Sequence, residues 1–200
     1  MYFRPFRERP ETVPPAIEHA RRGIASDPTE ASGYAALAHA LLLMGQHSEA
    51  RAAADRAVSL DPNSAWAFAA QGLTRAFGDR PREGIDALML AMRLSPFDPL
   101  MPRWQHHLAR ASYLAGDYAP AVASAQQLCQ SYPDLSPVYR TLIAALGQLR
   151  QEAEAQRVMS EALERFGERF WGTMLTQPPE LSLEAYEHML DGYRQAGVLD

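Results

Sequence analysis

The chain has a single cysteine, Cys129, in 200 residues, so no internal disulfide can form. Its expected place is a small buried apolar position. Phosphate-binding glycine loops are missing: neither G-x-G-x-x-G nor G-x-x-x-x-G-K occurs. The zinc signatures C-x-x-C and H-E-x-x-H are missing too. The one close histidine pair is His106-His107, and adjacent helical residues point about 100° apart, so the two cannot grip one metal. The carboxylates Glu152 and Glu154 fall on a charged turn, where solvation is the expected state. No catalytic residue, metal ligand or cofactor is therefore expected.

Positive charge is also scarce. Lys and Arg number 19 against 24 Asp and Glu, a formal charge of -5. Nucleic-acid binding calls for a basic surface, so it is not expected. The longest apolar stretch, Tyr34 to Met44, is about half a membrane span and contains His39. The opening MYFRPFRERPETVPP is charged and broken by proline, unlike a secretory leader. These readings point to the cytoplasm. Hydrophobic residues make up 47% and charged residues 22%, a balance that suits a globular chain with a real core.

What the sequence does contain is a repeat. Pro28, Pro62 and Pro96 stand 34 apart, Pro133 follows after 37, and Gly167 after a further 34. Twelve residues before each marker sits a small residue: Ala16, Ala50, Gly84, Ala121 and Ala155. Seven further along sit Gly23, Ala57, Ala91, Leu128 and Ala162, four of them small. A third column holds Leu37, Gln71, Leu108 and Leu142, preceded three residues earlier by Tyr34, Phe68, Gln105 (with Trp104 beside it) and Tyr139. Turn signals fall midway at Gly45-Gln46, Gly78-Asp79 and Gly116-Asp117. Each unit reads as two antiparallel helices that cross where residues are small. Proline ends the second helix because it cannot continue the hydrogen-bond ladder. No unit buries its apolar face alone, so units must stack.

This pattern resembles the tetratricopeptide repeat family. The clearest unit is ASGYAALAHALLLMGQHSEARAAADRAVSLDPNS, with Tyr34, Leu37, Ala38, Gly45, Ala50, Ala57 and Pro62 at the family's positions. The resemblance implies an all-α fold, a right-handed α-solenoid of antiparallel helix pairs. It predicts a half repeat over 14–28 and full repeats over 31–64, 65–98, 102–135 and 136–167. The last has Arg150 where a turn glycine is usual. Residues 1–13 are expected to be extended, or to belong to a longer protein of which this chain is a fragment. Residues 168–200 are expected to form a short helix and then a capping helix over Leu183 to Ala196. Residues Arg93 to Val122, and the ending LEAYEHMLDGYRQAGVLD, are similar to bacterial arrays attached to class III adenylate cyclases or winged-helix regulators. Tyr193 and Val198 stand where those have leucine. That likeness implies a signalling context.

The family resemblance also implies a peptide groove lined by the first helix of each pair. Helical geometry places Ala35, His39 and Leu42 there, then Trp66, Ala69, Leu73 and Phe77, then Arg103, His106, Arg110 and Tyr113, then Arg140, Ala144 and Gln148. An apolar half beside a basic half suits an acidic segment with a hydrophobic anchor. The competing expectation is that Trp66 and Phe77 are inter-repeat core and the arginines are solvated. The family's carboxylate clamp is not implied, because Ala35, His39 and Ala70 stand where it needs lysine and asparagine. The expected function is a non-catalytic scaffold for a protein or peptide. The alternative is a regulatory or dimerising module, a homodimer among its forms. An enzyme on this scaffold lacks any visible nucleophile, acid–base pair or metal cluster.

Overall fold

The computed structural model describes residues 13–199. Among them are eleven helices and no strand. The fold class is all-α, a solenoid type built of helix pairs. The expected extended segment 1–13 lies outside the described residues, apart from Val13, which opens the first helix. The chain divides into two compact units, 1–101 and 102–200.

The first unit contains α1 (Val13–Ser26), α2 (Ala31–Leu42), α3 (His47–Leu60), α4 (Ala65–Ala76) and α5 (Pro81–Leu94). Helix α2 pairs with α3 and α4 with α5, while α1 packs on α2. The small-residue columns are the crossings. Ala50, Ala57 and Ala91 are fully buried. At the α4–α5 crossing, a Cβ on Gly84 would lie 2.6 Å from the backbone nitrogen of Ala76. Only glycine fits that approach. In α1 the same columns, Ala16 and Gly23, are exposed, and the helix buries Val13 and Ala20 instead.

The turns between pairs are built by aspartate. The Asp27 carboxylate accepts from the Thr29 amide at 2.9 Å, and the Asp61 carboxylate from the Asn63 amide at 2.9 Å. Each bridges a proline in an Asx-turn, which ends one helix and aims the next. In the third copy the motif has moved. Asp98, not Ser95, accepts from an amide across a proline, that of Leu100 at 2.8 Å. The three-residue insertion thus carries its own turn.

The second unit contains α6 (Met101–Leu114), α7 (Tyr118–Ser131), α8 (Ser136–Gln148), α9 (Glu152–Phe166), α10 (Arg169–Met174) and α11 (Leu183–Gln195). Helix α8 packs against α7, α9 and α11. Ala121, Ala155 and Ala162 are fully buried, continuing both columns. Gly45 and Gly116 take positive φ at the midway turns, 70° and 81°. Arg150 holds the same region at φ 59° without being glycine, a conformation that costs an L-residue about 1 kcal/mol.

Two outcomes follow from this register. Ala50→Glu puts a carboxylate into a helix crossing and should lower stability by on the order of 3 kcal/mol. An unchanged melting temperature would contradict the crossing. Arg150→Gly relieves the left-handed turn and should raise stability by up to about 1 kcal/mol, read as a small rise in Tm.

Candidate functional site

The first helices of the repeats carry most of the expected groove residues, and they are far more buried than amphipathic surface helices. Helix α8 buries every residue from Val138 to Gly147 except Arg140. In the first unit, Leu42, Leu73 and Phe77 are buried core side chains, and so are Ala35 and Ala69. Their assignment to a groove surface is corrected: α2 and α4 are apolar nearly all round, so a residue offset from one buried stripe meets another. His39 is half-buried. Trp66 does present its ring, at 45% exposure on the first turn of α4, and is therefore not core.

In the second unit the expected residues meet the chain's own C-terminal segment. Arg110 is 2% exposed and donates from Nη1 to Glu180 Oε1 at 3.0 Å, with Glu180 17% exposed. Arg110 is thus neither open to a ligand nor solvated. Tyr113, wholly buried, donates its hydroxyl proton to the His188 carbonyl oxygen at 2.5 Å. Its ring stacks on the His188 imidazole at 4.6 Å between centroids. Arg140 is half-buried and donates to the Thr173 carbonyl oxygen at 2.9 Å. Gln148 donates to Asp191 Oδ2 at 3.1 Å. His106 is buried 5.1 Å from the His107 ring, and Arg103 donates from Nε to His107 Nε2 at 3.4 Å.

Sequence reasoning did not name Glu180, Tyr118, His188, Asp191, Gly147 or Gly192 as part of this constellation. Tyr118 and His188 Nε2 share a hydrogen bond of 2.9 Å. Helices α8 and α11 approach at Gly147 and Gly192. A Cβ on Gly192 would lie 2.7 Å from both the Ala144 carbonyl oxygen and the Tyr113 hydroxyl. A Cβ on Gly147 would fall on the Gly192 carbonyl oxygen. The one detectable signal was glycine inside two helical patterns, a mark of close backbone approach.

The electrostatics follow from burial. Desolvation, then the charges of Arg110, Arg140 and Arg103, hold the His106 imidazole well below its usual range. Desolvation lowers His188 too, with Asp191 opposing. Burial, then the neighbouring Arg110, press the Arg140 guanidinium down, against Tyr193, Glu180 and Tyr186. Burial pushes Tyr193 up to about 12 despite the two arginines. Beneath the segment lies a small cavity with room for about one water, lined by Arg110, Arg140, Thr173, Tyr186, Met189 and Tyr193. Cys129 is half-buried, and burial followed by the Glu161 charge pushes its thiol up to about 12. It is not a ready nucleophile. Among the described residues, no three His, Cys, Asp or Glu side chains group as a metal site, and no helix is long and apolar enough to cross a membrane.

Buried His106 and half-buried His188 both bind protons less readily folded than unfolded. Their stability contribution is complete above the unfolded value near 6.5 and is lost as pH falls below it, because the unfolded chain then takes up protons that the native one refuses. Tm should decline from about pH 6.5 downward, and less steeply in His106→Gln/His188→Gln. Equal slopes for the two proteins would contradict the burial reading.

Comparison with known proteins agrees with this architecture. Residues 31–74 and residues 105–135 each match a family described as Tetratricopeptide repeat. The crystal structure of MamA is 20% identical, with a TM-score of 0.60, over 80% of this chain and 85% of that one. YrrB, described as a TPR protein with an unusual peptide-binding site, is 16% identical with a TM-score of 0.59, over 90% and 97%. Pseudomonas aeruginosa pilF is 18% identical with a TM-score of 0.56, over 88% and 78%. At these identities the likeness is one of fold. No curated protein sequence matches. The matched segments fall on α2 to α4 and on α6 to α7, and it is there that tetratricopeptide repeats are identified.

Proposed function

We propose that the chain is a non-catalytic scaffold that holds an acidic partner segment with a hydrophobic anchor on the faces of its first helices. The observation that carries this reading is the C-terminal segment itself. The face formed by Arg110, Tyr113, Arg140 and Gln148 already receives a segment that carries Glu180 in a turn and Tyr186, Asp191 and Tyr193 on α11. The chemistry is arginine to carboxylate and aromatic to apolar pocket, the combination enriched in binding hot spots. In the first unit, Trp66 is an exposed anchor of the same kind. His39 is a further candidate contact there, and Arg103 at the start of α6 is one in the second unit. The repeats themselves support a protein or peptide partner. The alternative, a regulatory or dimerising module in bacterial signalling, draws on the exposure of Ala16 and Gly23 on α1, where later repeats bury the same columns.

Panning a peptide library against the full chain tests this reading. Selected segments should be rich in Asp, Glu and aromatics. Arg103→Ala/Arg140→Ala should weaken them by about 1–3 kcal/mol, and Trp66→Ala should weaken those held by the first unit by at least about 1 kcal/mol. Affinities unchanged in both variants, or a selection without acidic residues, would contradict it.

A further inference from the structure

The interface under α11 shares the close glycine approach of the repeat crossings, at Gly147 and Gly192, and adds a set of polar contacts to it. Alanine and glycine join the repeat helices, with little for a competitor to imitate. The C-terminal segment is clasped by polar side chains: Arg110 to Glu180, Tyr113 to the His188 carbonyl, Tyr118 to His188 and Gln148 to Asp191. A hydrogen bond across an interface can be remade by any partner carrying the same group. A space the size of about one water lies beside Arg140 and Tyr193. Arg140 faces that cavity, and among the described residues its hydrogen bond goes to the Thr173 backbone carbonyl, with no carboxylate paired to it. The segment reaches this face through Leu175 to Ser182, which contains Pro178 and Pro179 and no helix. It can leave without unwinding a repeat.

We propose that the segment from Pro178 to Leu199 is a displaceable ligand of its own second unit, and that the displacing partner is an amphipathic acidic helix. That partner supplies one carboxylate to Arg110 in place of Glu180, a second to Arg140, and an aromatic or methionine side chain to the place that Met189 and Tyr193 would vacate. The inference rests on the scaffold reading above and adds its regulation: the site is closed in cis until such a helix competes.

The glycine contact allows the segment to be opened in the whole protein. Gly192→Leu places a side chain against Ala144 and Tyr113, which forces α11 off. Glu180→Gln is the milder variant, weakening the clasp without a clash. The probe is a fluorescein-labelled synthetic peptide of residues 178–199 with the native sequence, titrated by anisotropy against the full chain. Wild type should bind it at least tenfold more weakly than Gly192→Leu, with Glu180→Gln between them. The same peptide carrying Glu180→Gln should lose at least tenfold on the opened chain. Two results overturn the proposal. One is that both variants keep their helical circular dichroism yet take up no peptide. The other is that Gly192→Leu melts the entire unit, which makes α11 an integral part of the fold. Neither result touches the scaffold reading, which stands or falls on segments selected by the wild-type chain.

Discussion

Close helix crossing is the constraint on which the rest of the molecule depends. Two helices can approach this closely only where the side chains between them are no larger than a methyl group. Ala50, Ala57, Ala91, Ala121, Ala155 and Ala162 supply those places and are fully buried. Gly84 supplies the tightest one within the first unit. Once the second helix of a pair is fixed by its small face, the first helix has neighbours on several sides. It must then be apolar nearly all round, as α2, α4 and α8 are. The same constraint reappears at Gly147 and Gly192, where α11 comes down on α8. There it positions a helix that is not part of any repeat.

The C-terminal segment changes what the repeat face can do. Arg110 is too deeply buried to be left without a counter-charge; removing one partner of such a pair costs about 3–5 kcal/mol. Glu180 meets that need across 70 residues of sequence. The pair therefore specifies where the segment docks more than it adds to net stability. Arg140 has a backbone carbonyl as its hydrogen-bond partner among the described residues, so an incoming carboxylate could make a contact there that the resident segment does not.

The repeat was legible in the sequence because a helix crossing writes itself as a column of small residues at a fixed interval. The turns were legible as Asp-Pro and glycine, and even Arg150 stood out before its positive φ was seen. The two C-terminal helices were legible from periodicity and from Gly197, which takes φ 64° just past α11. The surface was harder. Leu42, Leu73 and Phe77 were placed in a groove by their angular offset, but an angle says which way a side chain points and not what meets it. Arg110, Tyr113, Arg140 and Gln148 each meet the C-terminal segment. What their spacing could not reveal was that Glu180, His188 and Asp191 return from the end of the chain to cover them.

The central claim is that α11 opens more easily than the repeats it covers. Native-state hydrogen exchange on the full chain measures this directly, amide by amide. The amides of α11 should exchange through an opening of lower free energy than those of α8, with the repeat helices still protected. Equal opening free energies in α11 and α8, both at the value of global unfolding, would contradict it and make the segment a permanent part of the second unit.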